Sequence, residues 1–224
     1  MKALLYKEFR LAMHPICYMF VFLFPLMVLI PSFPIAVCFI YILSAYPILF
    51  LGANKGQQSN DLLYSTLLPV RKKDIVLARI FTVLFMQVAS MLLMAALSPL
   101  AMFLTQNVTQ KANAGLTING FVSVLAFAIV GYALADLIFF PIYYHHGRSI
   151  VLSTLLMILG FVIYLAVFTV VIPSIPMFLG YKTFFCDSGL GVQFAALGIA
   201  IVLSIVLHFA VYKLASKQLE KVDF

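Results

Sequence analysis

Apolar runs long enough to cross a bilayer recur along this chain, and few charges separate them. That pattern leaves very few folds open. Within hydrocarbon every backbone polar group must be paired inside the chain, so a span is a helix of about 20 apolar residues. Of the 224 residues, 65% are hydrophobic and only 9% charged, and the mean hydropathy is +1.14. A water-soluble domain of this length could not cover its surface with so little charge. The sequence therefore predicts an all-α integral membrane protein with six transmembrane helices and no separate soluble domain.

The first 14 residues form an interfacial element. In residues 2–13, KALLYKEFRLAM, a helix gathers Leu5, Tyr6, Phe9, Ala12 and Met13 on one side and sets Lys7 and Arg10 opposite, the pattern of a helix lying in the membrane surface. His14-Pro15 breaks it. Glu8 and the polar character of this stretch argue against a cleavable signal peptide. Spans are expected at about 16–31, 34–53, 79–104, 120–144, 149–172 and 191–212, with a loop at 54–78 and a polar tail at 213–224. Residues 173–190, PSIPMFLGYKTFFCDSGL, are too interrupted by proline and glycine for a span and too apolar for an exposed loop. Irregular backbone at membrane depth survives only where protein or a cavity surrounds it. The segment is read as a re-entrant element between spans 5 and 6.

Orientation follows from the basic residues. With a cytoplasmic N-terminus, one side holds Lys2, Lys7, Arg10, Lys55, Arg71, Lys72, Lys73, Arg79, Arg148, Lys213, Lys217 and Lys221; the other holds only Lys111 and Lys182. The side rich in Lys and Arg is the cytoplasmic one, which puts both termini there and supports an even number of spans. The net charge of +7 is thus accounted for by span ends, and no nucleic-acid partner is expected.

The longest polar interruption runs from Asn54 to Arg79, NKGQQSNDLLYSTLLPVRKKDIVLAR. Asn60 or Asp61 can cap a short helix there, and Pro69 ends it. Leu63, Tyr64, Leu67 and Leu68 share one side of that helix, and Asp61 and Ser65 the other. Two placements fit: docking on a soluble partner, or lying on the membrane with the leucines in lipid.

Chemistry-bearing motifs are sparse. There is no G-x-x-x-x-G-K phosphate loop and no H-E-x-x-H, so neither nucleotide binding through a P-loop nor zinc hydrolysis is expected of this chain. Cys17, Cys38 and Cys186 form no C-x-x-C pair. His145 and His146 are adjacent, hence about 100° apart on a helix, a poor metal site. Asp136 is the one acid well inside a span. An intramembrane carboxylate is costly and is a candidate for the transport pathway; its other reading is a bond to a neighbouring helix or a hydrated cavity near the cytoplasmic end.

Two stretches resemble a known family. Lys7-Glu8-Phe9-Arg10-Leu11 precedes the first span. After the second comes Ser65-Thr66-Leu67-Leu68-Pro69-Val70-Arg71-Lys72-Lys73-Asp74-Ile75-Val76-Leu77-Ala78-Arg79. This resembles the "SLPV-(basic)-KDIV-x-(basic)" stretch of bacterial type-2 ABC exporter permeases, and more closely the small six-span permeases of phenol-soluble modulin exporters. The layout is similar over the whole chain, the motif over residues 61–79. The resemblance implies a plasma-membrane exporter of amphipathic peptides or similar hydrophobic cargo. It also implies a second permease subunit, identical or paralogous, and two cytoplasmic ABC ATPase subunits that hold ATP and Mg. Asp61, Leu62, Leu63, Tyr64, Ser65, Thr66, Leu67 and Leu68 would be the coupling helix seated in the ATPase, ended by Pro69 and flanked by Arg71, Lys72 and Lys73. Two rivals are an intramembrane enzyme using Asp136 with His145 and His146, and a non-transporting immunity or scaffold protein.

Overall fold

The computed structural model describes residues 2–12, 15–26, 29, 70–108, 118–145, 150–167 and 190–221. All of the described elements are helices: α1 (Lys2–Lys7), which runs on as a π-helical turn (Glu8–Ala12), α2 (Pro15–Leu26), α3 (Lys72–Val108), α4 (Ile118–His145), α5 (Ile150–Ala166) and α6 (Leu190–Glu220). Three of them, α3, α4 and α6, are long and apolar enough to cross a membrane; α5 is a shorter apolar helix. The expected second span, the expected coupling helix Asp61–Leu68 and the re-entrant element lie outside the described residues.

The long helices alternate in direction. Lys73 near the start of α3 pairs with Glu220 at the end of α6 at 3.2 Å, so these two run antiparallel. Gln87 of α3 reaches Asp136 of α4, while Arg79 lies by Tyr144; positions therefore rise along α3 as they fall along α4. Helices α4 and α5 form an antiparallel pair, in which the Tyr164 hydroxyl donates to the Phe127 carbonyl at 3.1 Å and the two rings stack at 4.6 Å. The starts of α3 and α5 and the ends of α4 and α6 thus share one end of the bundle. Arg71, Lys72, Lys73, Arg79, Lys213, Lys217 and Lys221 gather towards it, while residues 92–108, 118–130, 158–167 and 190–205 carry no lysine or arginine.

Helix α4 is the centre. Of its apolar window 56% is buried, against 39% for α3 and 11% for α6. Its lower half is an aromatic ladder, Phe139, Phe140, Tyr143 and Tyr144, all at most 2% exposed. Phe139 stacks on Tyr143 at 5.7 Å and Tyr143 meets Tyr144 edge-on at 5.2 Å. Rings of this kind supply large contact area with few rotatable bonds.

Two helices extend past their apolar runs. Helix α3 starts at Lys72, so residues 72–78, assigned from sequence to the loop, are its first turns. Ile75, Val76 and Ala78 are buried there. A hydropathy reading stops at Arg79 because the side chain is charged, but that charge is compensated in the fold. Helix α6 continues to Glu220 through part of the expected tail, because Val211, Ala215 and Leu219 recur every four residues on its buried side.

Two of the glycines bring α4 and α5 together. A Cβ on Gly131 would meet the Phe161 ring at 3.0 Å and the Tyr164 ring at 3.3 Å, and one on Gly160 would meet Ile138 at 2.2 Å. Gly198 on α6 has open space around it. Small residues at such contacts let membrane helices approach closely. Gly131→Leu is expected to overpack the α4–α5 seam by about 1–3 kcal/mol and to lower the melting temperature in detergent. Gly198→Leu should leave it near wild type, and equal melting of the two variants would refute this seam.

Candidate functional site

Hydrocarbon tolerates polar groups only when they satisfy one another, so the buried polar residues mark where the bundle has something besides packing to do. Two such constellations lie at different depths.

The first joins the N-terminal segment to α3. The Glu8 and Arg79 side chains, 6% and 9% exposed, form a two-point pair: Arg79 Nε donates to Oε2 at 3.1 Å and Nη2 to Oε1 at 3.3 Å. Tyr144 of α4 sits within the field of both. The register of the N-terminal helix follows from this pair. Leu4 and Glu8, one turn apart, face inward, whereas Tyr6 is 57% exposed. The sequence placed Leu5, Tyr6 and Phe9 on the apolar side. Leu5 and Phe9 are half-buried, but the innermost position belongs to a carboxylate, since its partner waits on α3. Phe9 packs edge-on against Phe85 at 5.4 Å. Arg10 is exposed, donates to the Tyr6 hydroxyl and lies 5.4 Å over its ring. Lys7 is half-buried.

The second constellation lies deeper. Asp136 is 1% exposed and accepts from two other helices. Gln87 Nε2 of α3 lies 3.3 and 3.1 Å from its two oxygens, and His208 Nε2 of α6 lies 3.0 Å from Oδ2. The other ring nitrogen of His208 lies 2.8 Å from the Ser204 carbonyl and 3.3 Å from its hydroxyl. With one proton shared between the imidazole and the carboxyl, the pair would carry no net charge. Such neutrality is what lets an acid and a base sit inside an apolar bundle.

Beside this network is a cavity of about 410 Å³ between α3, α4 and α6. Its walls are apolar, with Val88, Leu92, Ile201 and Ile205 among them, and Gln87, Tyr132, Ser204 and His208 mark its polar side. Asp136 does not line it; Gln87 and His208 carry the carboxylate's contacts. The cavity is open rather than enclosed, since Val88, Leu92, Ile201 and Ile205 in its wall are all exposed.

Of the residues marked from sequence, Arg71 is exposed, Lys72 half-buried and Lys73 exposed. Asp136 and His145 are not brought together. They are nine residues apart on one helix, about 13.5 Å at roughly 1.5 Å per residue. Among the described residues no three potential metal ligands converge. Sequence reading missed Gln87, Ser204 and His208, and the pairing of Glu8 with Arg79. Polar side chains inside apolar runs were the available signal. Gln87 and Asp136 are 49 positions apart and Asp136 and His208 72, so no local spacing links them.

Residues 3–215 match the model of a family described as ABC-2 family transporter protein. No curated protein and no solved structure matches the chain.

The network has a measurable signature. Hydrogen bonds between membrane helices average about 0.6 kcal/mol each, so Asp136→Ala, which strands two donors, should cost about 1–2 kcal/mol in a folding titration. Asp136→Asn, which keeps an acceptor oxygen, should cost less. In the double variant Asp136→Ala/His208→Ala the losses should fall short of additive. Strict additivity would mean that the contact contributes nothing.

Proposed function

The chain belongs to the ABC-2 family of transporter membrane proteins, and from that premise we propose that it is the permease of an exporter that moves amphipathic peptides or similar hydrophobic cargo out of a bacterial cell. As a member of this family it is the non-catalytic transmembrane component, and its ATP hydrolysis belongs to an ABC ATPase partner. In the proposed assembly two such ATPases carry ATP and Mg, and a second permease subunit completes the translocation path. Each permease has six spans, a re-entrant element between spans 5 and 6, and both termini in the cytoplasm. Asp61 to Leu68 form the coupling helix in the ATPase groove, with Pro69 ending it and Arg71, Lys72 and Lys73 flanking it.

The observation that carries this reading is the polarity of the bundle. Arg71, Lys72 and Lys73 enter α3 at the end where Lys213, Lys217 and Lys221 leave α6, and the opposite ends of these helices are free of lysine and arginine. That asymmetry fits a cytoplasmic face for the loop before α3. The same end carries the Glu8–Arg79 pair, so the segment closest to the proposed ATPase contact is anchored within the bundle. ATP binding would close the ATPases, displace the coupling helices and switch access to the path, a two-state change driven by different nucleotide affinities of the two states.

Cargo of peptide size is assigned to the space between two permeases. Asp136 enters this reading as the acceptor that ties α3 and α6 to α4 along the path, and contact with cargo would require Gln87 and His208 to move first.

Purification of the tagged chain from native membranes should bring down an ABC ATPase in stoichiometric amount. Leu67→Asp, a charge on the apolar side of the proposed coupling helix, should abolish that association while the permease still elutes as a single folded species. Undiminished co-purification of the Leu67→Asp variant would overturn the assignment of that helix.

A further inference from the structure

We propose that Glu8 and Arg79 are positioning residues that make the N-terminal helix and the first turns of α3 one moving body, so that displacement at Arg71–Lys73 carries the N-terminal helix with it. The inference rests on the reading of residues 61–73 as the ATPase contact and goes beyond it, because nothing in that reading assigns a role to the N-terminal helix.

Four observations converge. The pair is buried and two-pronged, with the planar guanidinium matched to both carboxylate oxygens, a geometry that fixes orientation as well as distance. It bridges positions 71 residues apart, so it joins separate elements rather than trimming one helix. It lies two turns into α3, six residues beyond Lys73, about 9 Å along the axis. Finally, the contacts around it tie the same two elements: Leu4 is buried in the core shared with Ile75, Val76 and Ala78, and Phe9 meets Phe85.

A buried ion pair is a poor way to gain stability. Desolvation offsets most of its attraction, and apolar residues of similar volume often hold a fold as well. What an apolar contact lacks is directionality: it lets one helix slide or roll on another. The fork of Arg79 on Glu8 forbids both. The π-helical turn that begins at Glu8 adds to this, since widening the helix there resets the register of the following residues. A surface helix that only floated in the interface would have no use for a carboxylate at its innermost position.

The test uses the full permease–ATPase complex in lipid nanodiscs. Spin labels at Lys7→Cys and Leu92→Cys, with Cys17, Cys38 and Cys186 replaced by serine, report the distance from the N-terminal helix to α3. A second pair, Lys7→Cys with Ile199→Cys, reports motion relative to α6. Both are read without nucleotide and in the ATP–Mg–vanadate trapped state. The expected result is that the 7–92 distance stays fixed while the 7–199 distance changes. Glu8→Gln and Arg79→Gln should each broaden the 7–92 distribution by about one helical turn, roughly 5 Å, and abolish the stimulation of ATP hydrolysis by the permease. The exchange Glu8→Arg/Arg79→Glu should restore both, which a loss of folding alone would not allow. The proposal is overturned if the 7–92 distance changes on trapping in the unmodified pair, if neither distance changes, or if Glu8→Gln leaves the distribution and the stimulation as they were. Failure of any ATPase to bind the labelled complex would instead sink the reading of residues 61–73, and the transmission proposal with it.

Discussion

A charge held within an apolar bundle must find its counter-charge in the protein, because neither lipid nor a second layer of water can supply one. The described helices are arranged around two such compensations. Glu8 answers Arg79 across 71 residues, and His208 with Gln87 answers Asp136 across three helices. The Lys73–Glu220 contact is of another kind. Its side chains are about half exposed, and an ion pair in that setting contributes little. The two buried groups fix where α1, α3, α4 and α6 stand relative to one another; the exposed pair reports that arrangement without creating it.

Between those fixed points the packing is supplied by rings and by the absence of side chains. The ladder from Phe139 to Tyr144 fills the centre of the bundle beneath Asp136, and Gly131 and Gly160 bring α5 close enough for Phe161, Tyr164 and Ile138 to reach across. Among helices in lipid the hydrophobic effect gives no preference for helix over lipid contact, so close fit and polar contact decide which faces meet. Helix α6 illustrates the other outcome. Ile199, Val202, Ile205 and Phe209 remain exposed on it, while the narrow side bearing Ala200, His208, Val211 and Ala215 packs inward.

For an ABC-2 transporter component this division has a functional sense. The basic end of the bundle, the Glu8–Arg79 pair and the start of α3 occupy one region, and the Asp136 network and its cavity lie deeper. Movement entering at Arg71–Lys73 would meet the ion pair first and the Gln87–Asp136–His208 network next, since both are carried on α3. The carboxylate that drew attention in the sequence is then a joint between helices, and the apolar cavity beside it opens to the bundle surface.

The sequence by itself determined that this is an α-helical membrane chain and where its described apolar runs lie, and it set the expectation that its bases fall to one side of the membrane. Each of those is local: a run of apolar residues must become a span, and Lys and Arg stay near its ends. The family was likewise legible, through a stretch from Ser65 to Arg79 whose residues are contiguous. Only the tertiary structure decided that Glu8 turns inward, that α3 begins at Lys72 and α6 reaches Glu220, and that Gln87 and His208 share one carboxylate. For the polar residues among these the physical reason is the same. A polar residue in an apolar setting has a position set by its partner, and that partner stands on another helix, tens of residues away, where no periodicity in the chain can point to it.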